Sequence, residues 1–552
     1  MSALRLNKSV LKRCKKFKCF STAVQHDDEY TATPQYPPIL DMSPDKIQER
    51  KKEALYEEIK AVKTVEEKQI KLNMPKYYGF KSYMLYEDYI PYNSLSLIQH
   101  VTRTHLIKND NLPPFYNDLD VSTVANDVKT DIEEVILVET ARKRSVLIFL
   151  TKKLIFFSRE GDKVAVENSL SFDLSKQINR IIMSRMCRAL PHLMEAHVDL
   201  NPRVESFWFA GGMNPPENIK RYRRGTEWQK IKENEPTNRG MNYIGSSNLS
   251  LRSDLPLRQL ISPSDAENPD LGVPHFEFDP RTVGTVANEH RHIANIPGFW
   301  PGDSREFGFL SYHKRGHLIT RHYNDVEDHK EAIDRQGILA SFGWLNAQAN
   351  YQGFTTFNDI TYPFVTQTVV TNGQIWSFYV YQLNTIVNHS KFFTENPKRN
   401  VCWGTPEVKL FEGVENDKLI GFNDDVLKML LKFYANAPEE KLGVNMKPFL
   451  GKEEKFIADY EDADKREWLE REYKFLVSNR PRDQLGYEIY AWEKIYKIDH
   501  QTRFMDKKRR PFEFKMKPSN RRLDERLPRY IPRALRPHLP RHKGRYAKEY
   551  FP

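Results

Sequence analysis

Between Val369 and His389 the chain reads VVTNGQIWSFYVYQLNTIVNH. β-Branched and aromatic residues fill it on both sides of Asn372-Gly373. That dipeptide can take positive φ at both central positions of a type I′ turn, so the segment predicts a β-hairpin. Both alternating sets of the second strand are bulky: Ile375, Tyr379 and Tyr381 on one side, Trp376, Phe378 and Val380 on the other. A strand that is apolar on both faces belongs inside a sheet. Gln382 and Asn384 follow, and they pose a question. Either the hairpin floors an active site, or it frames a protein that catalyses nothing.

Outward from the hairpin, helical and strand patterns alternate. EAIDRQGILASFGWLNAQANYQGF predicts a helix that turns Ile338, Leu339, Phe342 and Leu345 towards the core. GFNDDVLKMLLKFYANAP predicts another, with Asn423 as N-cap, Asp424 and Asp425 in the first turn, and a stripe of Val426, Leu427, Leu430, Leu431 and Tyr434. FDLSKQINRIIMSRM places Leu174, Ile178, Ile181, Ile182 and Met186 on one helical face. VESFWFAGG reads as a strand ending on a Gly turn, and SVLIFL and KLIFFS as two short strands after a helix. Residues 213–275, rich in Pro, Asn, Arg and Ser, predict a long excursion on the surface. Towards the N-terminus, LPPFYNDLD is a breaker and the Tyr-rich stretch 76–108 predicts helix plus connection. A helix starts at Pro44 behind the N-cap Ser43.

The fold class expected is α+β: mixed helices around an antiparallel sheet, with an extended N-terminal arm and a basic C-terminal extension. The expected divisions are a mitochondrial transit peptide over 1–22 and an extended and helical arm over 23–115. An α+β core follows over 116–435, including the excursion at 213–275. Residues 436–552 form a helical and then basic, Pro/Arg-rich extension.

The charge distribution supports those ends. Of 85 Lys and Arg, seven fall in residues 1–20 with no acid, and 17 fall in residues 501–552 against five acids. The middle therefore carries a surplus of acids, although the whole chain is +11. MSALRLNKSVLKRCKKFKCFSTAV is basic, acid-free and amphipathic, the pattern of a mitochondrial transit peptide. No apolar run of about 18 residues is present, so no transmembrane helix is expected. Cys187 and Cys402, the two cysteines of the body, are too few and too far apart for a zinc ribbon or a disulfide framework.

A search for chemistry finds no P-loop, no GxGxxG after a strand, no GxSxG elbow and no HExxH. His290, His292, His313, His317, His322 and His329 cluster in sequence, and His313 and His317 are spaced to face one metal from a helix. Gly316 and the neighbouring cations oppose that, and a surface or RNA-facing loop is the expected alternative. Asp424 and Asp425 diverge by about 100° on a helix, so capping explains them better than paired acid–base work. Gln348, Asn350, Gln352, Gln382 and Asn384 are expected to satisfy buried backbone rather than line a pocket. No cofactor and no catalytic residue is expected.

The nucleic-acid signal is stronger. In the tail, Lys507, Lys508, Arg509, Arg510, Arg521, Arg522, Arg529, Arg533, Arg536 and Arg541 alternate with prolines and aromatics. Cations neutralise phosphates, prolines keep the chain extended and rings stack on bases. Lys220, Arg221, Arg223 and Arg224 form a smaller patch of the same kind.

The segments ASFGWLNAQANYQGFTTFNDITYPFVTQTVVTNGQIWSFYVYQLNTI, NPKRNVCWGT and GFNDDVLKMLLKF closely resemble the programmed cell death protein 9 family. Its members are mitochondrial ribosomal proteins of animals, first catalogued with the small subunit and later placed in the large one. The resemblance is dense over 331–435 and patchy over 33–330. It implies a structural, non-catalytic component of the mitochondrial large ribosomal subunit in the matrix. The implied partners are the large-subunit ribosomal RNA, a paralogous large-subunit protein and other mitoribosomal proteins. The alternative is a mitochondrial RNA-binding factor or metal-dependent enzyme outside the ribosome.

Overall fold

The computed structural model describes residues 41–43, parts of 46–61, then 82–153, 160–288, 295–299, 304–321 and 326–449, less isolated positions within these ranges. The chain divides into two units between Glu53 and Ala54. In the first, the Asp41 carboxylate accepts from the Ser43 amide at 2.8 Å. Both large sheets and their helices belong to the second. The transit-peptide segment 1–22 and the tail residues from Lys507 onward lie outside the described residues.

In chain order the first elements are β1 (Ser82–Tyr86), α1 (Leu95–Thr102), β2 (Thr104–Lys108), α2 (Ser122–Lys153) and α3 (Glu160–Met186). Next come α4 (Pro191–Glu195), β3 (His197–Leu200), β4 (Val204–Met213), α5 (Glu217–Arg224), β5 (Thr237–Gly245), β6 (Ser247–Ser253) and β7 (Val286–Asn288). The remainder are β8 (Phe307–Lys314), α6 (Val326–Tyr351), β9 (Phe364–Thr371), β10 (Ile375–Leu383), β11 (Asn400–Gly404), β12 (Val408–Lys409), β13 (Gly413–Glu415), β14 (Lys418–Ile420) and α7 (Asp424–Ala435).

The hairpin of β9 and β10 lies at the centre of a large sheet ordered β2-β11-β10-β9-β8-β6-β3, with β12 also on β10. A smaller sheet has the order β4-β5-β1-β7. The architecture is α+β. The large sheet is mixed rather than wholly antiparallel, because β8 runs parallel to β9 and β11 to β2. β1 and β5 are also parallel. β8 reaches β9 through α6, and a helical crossover is what parallel neighbours require.

β10 divides the interior. Trp376, Phe378 and Val380 enter one hydrophobic core with Leu174, Ile178 and Ile182 of α3 and Leu427, Leu430 and Leu431 of α7. Tyr379, Tyr381 and Leu383 enter a second core with Ile338, Leu339, Phe342 and Leu345 of α6 and Tyr243 and Trp208 of the small sheet. Each large side chain so buried contributes roughly 1.5–3 kcal/mol, which is why the period-2 pattern here fixes register so firmly. The caps agree with the sequence: Asn423 accepts from the Asp425 amide at 3.0 Å.

Four local expectations differ. The hairpin turn is not type I′: Gly373 has φ +96 but Asn372 is not among the positive-φ residues. Thr371 pairs with Trp376, and the Asn372 side chain accepts from the amides of Gln374 and Ile375 at 3.0 and 2.8 Å, closing a longer loop. SVLIFL continues helix α2 instead of forming a strand. Extending a nucleated helix costs little, and strand propensity is too weak to stop it. Residues 213–275 are only partly an excursion, since β5 and β6 lie within them and are almost wholly buried. Their polar side chains hide this, because Asn242, Ser247 and Ser250 are interior positions. Finally, 82–108 does not stay in an N-terminal arm; it supplies β1 and β2 to the two sheets and α1 to the core between them.

α6 packs against both sheets through two glycines. A Cβ at Gly337 would lie 2.6 Å from the Tyr379 ring, and one at Gly343 would lie 2.1 Å from the Tyr243 ring. Alanine would improve helix propensity by about 1 kcal/mol, but overpacking a rigid core costs about 1–3 kcal/mol. The Gly343→Ala protein should therefore be less stable than the native one, by a lower midpoint in urea unfolding; an equal or higher midpoint would show the contact to be slack.

Candidate nucleic-acid interface

The patch predicted at Lys220 to Arg224 lies on α5, a helix with no buried residue. A short 3₁₀ turn, Glu227–Lys232, follows it. Tyr222 is 62% exposed and Ile231 97% exposed, so ring and aliphatic surface stand among Lys220, Arg221, Lys230 and Lys232. The four predicted cations are not equivalent. Arg223 donates to the carbonyls of Lys232, Glu233 and Glu235 at 2.6, 3.2 and 2.7 Å, tying the turn to the helix. Arg224 pairs with Glu233 at 2.6 Å and with Glu217 at 3.3 Å. Lys220 and Arg221 make no polar side-chain contact among the described residues. The predicted tail cations, from Lys507 to Arg541, lie outside the described residues.

The amides of the opening stretch are consumed by backbone. Gln382 Oε1 accepts from the Leu260 and Ile261 amides at 2.7 and 3.1 Å, and its Nε2 donates to the Ile261 carbonyl at 2.9 Å. Asn384 Nδ2 donates to the Arg399 carbonyl at 2.8 Å, and Gln348 Oε1 accepts from the Gly308 amide at 2.7 Å. Asn350 donates to the Asn346 carbonyl and Gln352 to Glu306. Asp359 accepts from the Ile386 amide and the Thr385 hydroxyl. The hairpin is frame.

The histidines do not converge. His290, His292 and His322 lie outside the described residues. His313 ends β8 and His317 sits on a 3₁₀ turn, so no helix presents the two together. His313 is buried, contrary to a surface loop, and His317 is half-buried. His329 pairs with Glu407 at 2.8 Å. Among the described residues no three His, Cys, Asp or Glu side chains gather as metal ligands. Of the cysteines, Cys402 is buried and Cys187 partly exposed.

One constellation escaped the sequence. Ser311 Oγ lies 3.1 Å from His313 Nε2, and His313 Nδ1 lies 2.7 Å from Glu87 Oε1. Hydroxyl, imidazole and carboxylate follow the order of a nucleophilic triad. All three are nevertheless buried, and the carboxylate also accepts from Gln336 Nε2 and the Tyr243 hydroxyl at 3.1 Å each. A cleft of about 420 Å³ opens elsewhere, beside Tyr379, Asp334, Lys108 and Glu407. Its main charged groups are paired: Asp334 with Lys108 at 2.7 Å and with the Tyr379 hydroxyl at 3.0 Å, and Glu407 with Arg315 and His329. Burial raises the Asp334 carboxyl above the usual range, opposed by Lys108.

The chain falls in the class of mitochondrial ribosomal proteins. The chain matches the family described as mitochondrial 28S ribosomal protein S30 (PDCD9) over residues 2–438, and it belongs to that family. Membership makes it a mitochondrial ribosomal protein, associated with the mitoribosome in a non-enzymatic, structural role. The match ends just past α7. Among the described residues no helix is long and apolar enough to cross a membrane.

His100 sets a pH dependence. The Phe276 amide donates to its Nδ1 at 3.2 Å, so the ring proton sits on Nε2, which donates to the Gly211 carbonyl at 3.0 Å. Burial holds its pKa down to about 4, against 6.5 for a free histidine. As pH falls the unfolded chain takes up this proton first. The stabilisation is therefore complete above pH ~6.5 and declines down to pH ~4, by up to about 3 kcal/mol. Replacing His100 by Gln should flatten the fall in urea midpoint between pH 7 and pH 4.5; an unchanged slope would remove His100 as its source.

Proposed function

We propose that this protein is a structural component of the large subunit of the mitochondrial ribosome in the mitochondrial matrix. There it binds the large-subunit ribosomal RNA and neighbouring ribosomal proteins, a paralogous large-subunit protein among them. The family match over residues 2–438 supports the mitochondrial ribosomal part of this reading. The family description bears a small-subunit designation, so the subunit is the part that experiment must decide. Support for RNA contact comes from the outward cations and ring of α5 and from the Arg-rich composition of the tail. The folded body, with its polar interior committed to backbone, acts as the frame on which those contacts are carried.

In a sucrose gradient of detergent-lysed mitochondria, the protein should travel with the large subunit at moderate salt and remain there at high salt. Migration with the small subunit would reverse the subunit assignment, and protein at the top of the gradient would sink the ribosomal role. The tail has its own test. Binding by phosphate neutralisation gives a steep fall of affinity with salt, in proportion to the number of phosphates contacted. Removing residues 503–552 should flatten that slope on a large-subunit RNA fragment and weaken assembly into the subunit. A slope equal to that of the full chain would exclude a phosphate-neutralising tail.

A further inference from the structure

A second cleft, of about 600 Å³, is lined by residues 88–93, residues 282–284, His317 and Arg321. The loop 88–93 reads DYIPYN. Its two rings stand half in solvent, Tyr89 at 49% and Tyr92 at 41% exposure, while Ile90 and Pro91 between them are buried. The wall is preformed. The Ser94 hydroxyl donates to the Pro91 carbonyl at 2.7 Å, and Arg321 Nε donates to the Ile90 carbonyl at 3.1 Å. The Arg321 guanidinium also stacks 4.4 Å from the Tyr92 ring centroid. Gly284, at φ +84, brings the facing turn close: a Cβ there would lie 3.5 Å from Pro91 Cβ and 3.6 Å from the Tyr89 hydroxyl.

The charges of the lining are unequal. Arg321 is neutralised by Asp328, at 2.8 Å. Asp88 is exposed on the cleft and makes no hydrogen bond or ion pair among the described residues. The charge left to a ligand is therefore a carboxylate, which repels a phosphate backbone and attracts a cationic side chain. Half-exposed rings on either side of a buried proline, with one open carboxylate, match a particular ligand. A polyproline II segment presents apolar pyrrolidine faces to aromatic grooves, and its backbone carbonyls have no internal hydrogen bond. Tyrosine hydroxyls are donors for such carbonyls. Little conformational entropy is lost when a preformed wall meets a preformed ligand.

We propose that this cleft docks an extended, proline-rich segment of a partner protein, with prolines against Tyr89 and Tyr92 and an adjacent arginine or lysine at Asp88. The rings supply the affinity. Asp88 sets the direction of the segment, because an exposed ion pair contributes little on its own. The inference goes beyond the ribosomal reading: it assigns a protein-docking surface, and its test needs no ribosome.

The test is fluorescence anisotropy of the full chain with a labelled decaproline peptide carrying one terminal arginine. Two control peptides replace the arginine by glutamate, or the prolines by glycine and serine. The arginine–proline peptide should bind most tightly. Tyr89→Ala and Tyr92→Ala should each weaken it about tenfold, the weight of an anchoring ring. Asp88→Lys, at an exposed position, should leave the melting temperature unchanged and reverse the preference, so that the glutamate peptide binds better than the arginine one. That reversal keeps the test open if a ring variant fails to fold. Equal binding of the proline-free peptide would reduce the effect to charge and overturn the proposal, and so would an unchanged preference in Asp88→Lys. Absence of saturable binding up to about 1 mM peptide would overturn it as well. Displacement of the peptide by a short oligouridylate would give the cleft to RNA instead. Binding that appears only after removal of residues 503–552 would give it to the chain's own proline-rich tail. Failure of the sucrose-gradient test would alter none of these outcomes, so the two readings fall separately.

Discussion

The carboxylate of Glu87 is where the two sheets meet. It leaves the end of β1 in the small sheet and reaches His313 of β8 in the large one, while Tyr243 of β5 and Gln336 of α6 donate to the same group. Four elements from two sheets and the helix between them thus share one buried anion. An unmet carboxylate there would cost several kcal/mol, so the arrangement tolerates little sliding of one sheet over the other. The glycines of α6 belong to the same constraint. They let the helix backbone approach Tyr379 on one side and Tyr243 on the other, and the Tyr243 hydroxyl then bonds Glu87.

This junction also explains why a constellation of serine, histidine and carboxylate need not signal chemistry. Ser311 and His313 stand two apart on one strand, and the hydroxyl of Ser311 also lies 3.3 Å from Thr368 Oγ1, inside the sheet. A nucleophile needs a substrate beside it, and here each neighbour is a protein group that the fold itself positions. The buried amides follow the same logic. Asn400 Oδ1 accepts from the Asn384 and Thr385 amides, and its Nδ2 donates to the carbonyls of Thr102 and Thr385. Arg103, at φ +53, donates to the carbonyls of Lys398, Phe393 and Asn396. Together they hold the irregular chain after β10 against α1.

What the sequence revealed came from periodicity. The double-sided apolar pattern of β10, the stripes of α3 and α7 and the Asn423 cap were legible because burial repeats with period 2 or 3.6 along the chain. The content of 213–275 was not, because β5 and β6 carry Asn, Ser and Gly at positions that are buried by their neighbours and not by their own hydrophobicity. The α2 run SVLIFL reads as a strand in isolation because local strand propensity ignores a helix already formed before it. Of the candidate RNA contacts, the basic helix at 217–224 was visible as a cluster of like charges. Its division into two structural arginines and two outward cations depends on the carbonyls of 232–235 and the carboxylates of Glu217 and Glu233, which composition does not encode.

The central physical claim is that one buried carboxylate couples the two sheets, and a double-mutant cycle between Glu87 and His313 measures it directly. Urea unfolding of Glu87→Gln, His313→Ala and the double variant should give a coupling of about 2 kcal/mol or more, in the upper part of the range seen for residues in one network. Additive effects, within about 0.5 kcal/mol, would contradict the account and mean that the sheets are held by apolar packing alone.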